Sequence, residues 1–239
     1  MSTEQLVVRA RALWEELADA PVSFGLQGGV NVVVSPGSAL CPAGWVGVVA
    51  LAGSAIVTAP SDRAAATVRD ALCVLPVEDA VDGGLVGAAL PVVRTLGPAA
   101  LSYVSPASFR PAEAGPAVGQ LPAGHPDLQA LEHAAGDADA GEAGLDEITS
   151  PAYVVREHGQ VVAAAGYRRW PRRTAHVSVL TAPGARGRGL ARVTGSAAVA
   201  HALAAGLLPQ WRARPAASRR VAAALGFEEF GTQLSFELG

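Results

Sequence analysis

One segment limits the folds open to this 239-residue chain more than any other. Ala175–Thr181 alternates as a strand does, with Val177, Val179 and Thr181 on one side, and Pro183-Gly184 breaks it. A glycine-rich turn, Arg186-Gly187-Arg188-Gly189, follows directly. It opens a long Ala/Val/Leu-rich helix from about Gly189 to Ala204, stopped by Gly206. The flanking sequence extends this strand–turn–helix unit. Ala152–Arg156 and Val161–Tyr167 read as a hairpin turning at His158-Gly159. Leu207–Ala213 reads as a strand, Ala216–Leu225 as a short helix stopped by Gly226, and Phe227–Phe230 and Gln233–Leu238 as two closing strands.

Upstream, Leu101–Val104 is a strand, and a Pro/Gly/Ala-rich linker runs to about Gly124. A short helix capped by Asp127 extends through Ala135, and Gly136–Gly144 reads as a flexible acidic loop. The order predicts an α/β (α+β) fold, a mixed, mostly antiparallel sheet flanked by helices. The first part reads as a smaller α/β unit. It holds a helix over 2–18 with capping-box spacing between Ser2 and Gln5, Val-rich runs at Val30–Val34 and Val46–Leu51, and a helix over Ser61–Leu72. No catalytic constellation falls in it, and the predicted division is 1–98 and 99–239.

A net charge of −3 and a pI near 5.9 argue against a dedicated nucleic-acid binder. The charge is uneven, however. All basic residues are arginine, and eleven of the eighteen lie between His158 and Phe227, where no Asp or Glu occurs. His125–Ser150 carries seven acids and no arginine. The basic third is either an anion site or a surface paired with the acidic stretch. Two isolated cysteines, acids inside the N-terminal apolar stretch, and an apolar run too short to span a bilayer predict a cytoplasmic chain without a membrane partner. His125, His133 and His201 lack ligand spacing, so no metal is expected.

A turn from strand into helix leaves backbone N–H groups without intrahelical partners at the positive end of the helix dipole, where a diphosphate fits. Gly187 and Gly189 admit close approach of an anion, and Arg186 and Arg188 add pairing charge. Without lysine no P-loop is possible, and a dinucleotide fingerprint lacks its third glycine and its acid.

Arg186-Gly187-Arg188-Gly189-Leu190-Ala191 matches every fixed position of Gln/Arg-x-x-Gly-x-Gly/Ala, the pyrophosphate signature of the GNAT superfamily of N-acetyltransferases. The chain resembles that family over about residues 100–239. Pro209-Gln210-Trp211 through Ser218 is similar to a stretch of a two-part subgroup with an extra N-terminal region. The resemblance implies an acyl-CoA-dependent N-acyltransferase, with acetyl-CoA or another acyl-CoA as co-substrate and direct transfer to a primary amine. Val179, Leu180, Thr181, Arg186, Gly187, Arg188, Gly189, Leu190, Ala191 and Ser218 would hold the coenzyme, and strand amides would polarise the thioester carbonyl.

The family's acidic tyrosine corresponds to Ala222 here, and the asparagine at the start of that helix to Pro215. Ser218 stays as a cofactor contact or proton relay, and Glu147 and His176 are the candidate bases. Alternation turns His176 away from Val177 and Val179, toward solvent or toward the acceptor cleft. The missing tyrosine keeps a second reading open, a degenerate GNAT-fold sensor that binds CoA or acyl-CoA without turnover. The acidic segment 127–147 over the cleft suggests a cationic acceptor, a small molecule or a peptide amine. The first region is a degenerate acyltransferase half, a lid or a dimerisation unit, the last implying a homodimer.

Overall fold

The computed structural model describes residues 1–25, 28–113 and 115–239, so Ala114 of the expected linker lies outside the described residues. The chain forms two compact units, Met1–Leu101 with Glu229–Gly239, and Ser102–Glu228. The division falls three residues beyond the expected boundary, and the closing segment joins the first unit.

The first unit starts with α1 (Thr3–Leu17), which buries Leu6, Ala10, Leu13 and Trp14. Its capping box is complete: Ser2 Oγ accepts from the Gln5 N–H at 3.3 Å, and Gln5 Oε1 accepts from the Ser2 N–H at 2.9 Å. Ser2→Ala should therefore lower stability by about 1 kcal/mol, read as a lower thermal midpoint. After α1 come β1 (Gly29–Val34), β2 (Val46–Leu51), β3 (Ser54–Ala59), α2 (Asp62–Leu72), α3 (Gly83–Ala89) and β4 (Val92–Tyr103). The second unit continues with β5 (Gly119–Leu121), α4 (Pro126–Ala135), α5 (Asp137–Ala143), β6 (Ala152–Glu157), β7 (Gln160–Trp170), β8 (Thr174–Thr181), α6 (Leu190–Ala204), β9 (Leu208–Ala213) and α7 (Ala216–Ala224). The chain closes on β10 (Glu228–Leu238).

In the first unit β1 is parallel to β3, β2 is antiparallel to β3, and β10 is antiparallel to β2 from Gly231↔Leu51 to Phe236↔Val46. This last pairing takes the C-terminus into the first unit. Every residue of β2 and β3 is buried, so the two strands form one apolar run with no alternation to mark them apart. The expected pair of closing strands is a single strand. Gly231 does not break it but permits close contact, since a Cβ there would overlap the Ala50 carbonyl oxygen.

In the second unit the strands lie in the order β5-β6-β7-β8-β9, antiparallel except for the parallel β8–β9 pair. α4 packs Leu128 and Leu131 with Val154, Ala164 and Leu180. The alternate residue Val177 packs with Val199 of α6, Ala222 of α7, Trp211 and Leu225. Helices therefore cover both faces of a mixed sheet, as expected. The expected acidic loop is largely helical, with Asp137 and Asp139 in the first turn of α5, where carboxylates oppose the positive dipole end, and Gly144 left-handed at its end. The N-cap of α4 is His125, whose Nδ1 accepts from the Asp127 N–H, while the Asp127 carboxylate holds Arg156 at 2.5 Å. Among the described residues no helix is long and apolar enough to cross a membrane.

Candidate functional site

β8 forms eight pairs with β7, from Ala163↔Thr181 to Trp170↔Thr174. Its parallel pairing with β9 ends after three, the last being His176↔Gln210. Beyond that point the strands separate, and a pocket of about 530 Å³ opens there, bounded by β8, the start of α6, β9, α7 and α5. The Ala182 N–H bonds to the Val162 carbonyl on the β7 side. Strand alternation then aims the amides of Val179 and Thr181 at the gap, while the Val177 amide still faces the Gln210 carbonyl in the last pair of the ladder.

α6 begins at Gly189 in the left-handed region (φ 77°) without a side-chain cap. Arg192 and Val193 return their N–H groups to the Gly189 carbonyl, whereas the amides of residues 187–191 have no acceptor among the described residues. Gly187 is also left-handed (φ 75°), and a Cβ at either glycine would point into empty space. Backbone conformation thus explains both glycines, and the space before them belongs to the pocket. A helix mouth with this many unpaired amides suits a phosphorylated ligand. Two buried polar atoms on pocket-lining residues, Thr181 Oγ1 and Arg192 Nε, also lack partners among the described residues.

Val179, Leu180, Thr181, Arg186, Gly187, Gly189, Leu190 and Ala191 line the pocket, as do His176 and Ser218. Arg188 does not. Its guanidinium grips Glu157 with two hydrogen bonds of 2.9 and 2.5 Å, which raises its pKa and lowers that of the carboxyl. Its assigned role in phosphate pairing therefore has no support from its position. Glu147 also lies off the pocket wall, largely exposed and bonded to Arg168 at 2.6 Å.

Ala222 is buried against the sheet, so position 222 on α7 faces the core and not the pocket. Pro215 caps α7 without a side-chain bond. Tyr167 is buried with its hydroxyl 3.1 Å from His201 Nδ1, and neither Tyr153 nor Tyr167 reaches the pocket. Ser218 Oγ accepts from Trp211 Nε1 at 2.9 Å, which leaves the serine proton free to donate.

Part of the acidic stretch pairs with the basic third. Arg186 holds Asp139 at 2.5 Å, Arg214 holds Glu142 and Arg168 holds Glu147, while Asp127 pairs with Arg156 just outside the basic third. Arg192, Arg212 and Arg220 add further cationic charge to the pocket. Sequence reasoning did not single out these three, nor Asp139 and Glu142 as wall residues.

His176 is half-buried in the pocket wall. Its ring stacks on Trp170 (centroids 4.1 Å apart, planes at 6°), and its Nδ1 is 2.5 Å from Gln210 Oε1. Desolvation first, then the Arg212 charge, pushes its pKa down to about 3, with Arg168 acting in the same sense and the Gln210 bond opposing. A histidine so placed is held toward its neutral form. Gln210 was also overlooked, although a glutamine inside the apolar run Leu207–Ala213 marks a buried polar group that needs a partner. Among the described residues no cluster of three or more His, Cys, Asp or Glu is arranged to hold a metal ion.

The pocket therefore lies where parallel strands part beside an uncapped, glycine-started helix. Residues 150–232 match the model of the GNAT acetyltransferase family. No curated protein matches the chain. Among solved structures it is similar to a GNAT-family protein from Novosphingobium aromaticivorans, with 26% identity over 61% of this chain and 65% of that one and a TM-score of 0.48. A GCN5-related N-acetyltransferase from Kribbella flavida shares 21% identity over 60% and 58% of the two chains, with a TM-score of 0.48. In both cases this chain spans less than two-thirds of the relative's length. A GCN5-related N-acetyltransferase-like protein from Streptococcus suis shares 17% identity over 80% and 83% of the chains, with a TM-score of 0.50, and has the same fold.

Proposed function

We propose that the chain is an acyl-CoA-dependent N-acyltransferase that transfers an acetyl group directly to a primary amine. The observation that carries this reading is the cleft where β8 and β9 separate, with a row of unpaired amides at its helix end. Residues 187–191 would hold the diphosphate and Val177–Thr181 the pantetheine arm, with Arg186 adding charge once it exchanges Asp139 for the ligand. Acyl-CoA supplies the activated acyl group. The gap-facing amide of Val179 would donate to the oxygen on which negative charge develops. Ser218, whose oxygen is already occupied by Trp211, has its proton available for the departing sulfur.

Thiol release from acetyl-CoA over a panel of primary amines, together with calorimetric titration of CoA, tests the reading. CoA binding with amine-dependent thiol release is the expected outcome. Binding without release over the whole panel would mark a module that holds the coenzyme without turning it over.

A further inference from the structure

His176 occupies the last paired position before the two strands part, and three features fix its chemistry. Trp170 covers one ring face, and Gln210, wholly buried, closes Nδ1. An amide oxygen is only an acceptor, so the ring proton sits on Nδ1. Nε2 makes no hydrogen bond and is not among the buried unpartnered atoms, which leaves it as an open acceptor in the pocket that His176 lines.

The charges facing the ring are mostly positive. Arg168 lies opposite it on β7, and Arg212 follows Gln210 on β9. Glu147 bonds Arg168, and the two carboxylates of the pocket wall, Asp139 and Glu142, are held by Arg186 and Arg214. An alkylammonium entering here meets arginine charge, finds its counter-ions already paired, and has no base to take its proton. A neutral amine meets an imidazole lone pair.

We propose that Gln210 and Trp170 are positioning residues that hold His176 as a neutral ring with its proton on Nδ1. Nε2 then accepts a hydrogen bond from the attacking nitrogen, and the acceptor is a weakly basic amine, already unprotonated near neutrality. This rests on the acyltransferase reading, and it replaces the cationic acceptor suggested by the acidic segment. The transfer balances without an enzyme base. The nitrogen lone pair forms the C–N bond, the thioester C–S bond breaks, and the proton shed by nitrogen ends on sulfur. Only an ammonium would have a second proton to lose.

Two measurements decide it. In 15N-labelled protein, imidazole correlation spectra assigned with His176→Gln should show His176 neutral, protonated at Nδ1 and unchanged from about pH 8 to pH 5. A ring that titrates in that window, or one protonated at Nε2, overturns the proposal whether or not the protein turns over. The second measurement compares two tripeptide amides with saturating acetyl-CoA, one with a free α-amine and no lysine, the other N-acetylated with one lysine. At pH 7 the free α-amine should react with kcat/KM roughly a hundredfold higher, following the difference in neutral fraction between an α-amine and a lysine side chain. The rate should follow the acceptor's own ionisation. Gln210→Met should lower kcat roughly tenfold and leave the KM for acetyl-CoA unchanged. Equal rates for the two peptides, or a faster lysine peptide, refute the acceptor class. Thiol release from neither peptide, with CoA still bound, removes the acyltransferase reading and the acceptor class together, while the spectrum still decides the arrangement of His176.

Discussion

Gly189→Val should weaken CoA binding by about a hundredfold or more in a calorimetric titration, while Gly184→Ala leaves it unchanged. Gly189 starts α6 with φ at 77°, a conformation that strains any Cβ-bearing residue by about 1–2 kcal/mol and a β-branched one by more. Either the turn keeps its shape and carries that strain, or it relaxes and the amides of residues 187–191 lose their common aim. In the first case the valine side chain also projects into the open space where the phosphates would lie. Each 1.4 kcal/mol lost is tenfold in affinity, so strain and obstruction together reach the predicted size. Gly184 is the internal control. It also faces open space, but its φ is not in the left-handed region, so alanine fits without strain. Equal affinity for Gly189→Val and the parent protein would show that the helix mouth does not hold the coenzyme.

What the sequence revealed and what it hid follow one physical division. The capping box of α1, the β8–turn–α6 unit and the glycine pair are local patterns, and local sterics and hydrogen bonding settle them whatever surrounds them. The elements that were misjudged depend on distant partners. Only Leu101–Val104 was read as strand, whereas β4 begins at Val92 and runs through Pro98, and β10 passes through Gly231 only because Ala50 approaches it closely. The site divides in the same way. Arg186 and Arg188 are two residues apart and looked equivalent, yet one turns to the pocket and the other to Glu157, thirty-one residues away. His176 was recognised as a candidate, but its state is set by Gln210, thirty-four residues on, through a β8–β9 register that no local pattern encodes. Position 222 was read as the place of the family's tyrosine, but its burial in the core was not legible, because the facing of a nine-residue helix is set by what packs on it.

Trp211→Ala should destabilise the second unit more than any other single change to the pocket wall, by about 3–5 kcal/mol, for a fall in the melting midpoint of roughly 10 °C. Trp211 is 3% exposed and meets Phe227 edge to face with centroids 5.4 Å apart. Gly195 of α6 lies so close that a Cβ there would be 3.3 Å from the indole Cη2, so this glycine lets the helix rest on the ring. The indole N–H reaches Ser218 on α7. One side chain thus ties β9 to α6, to α7 and to the start of the final segment, and its truncation leaves a cavity that three elements would have to move to fill. Trp211→Phe separates the two parts of this role. It keeps most of the packing and removes the N–H, so its stability should stay within about 1.5 kcal/mol of the parent. The Ser218 hydroxyl, no longer held from Trp211, would then turn freely, and thiol release should slow while CoA affinity is largely kept. A Trp211→Ala protein that melts with the parent would mean that α6 and α7 are held to the sheet by other contacts, and the wall of the cleft would then not depend on the indole.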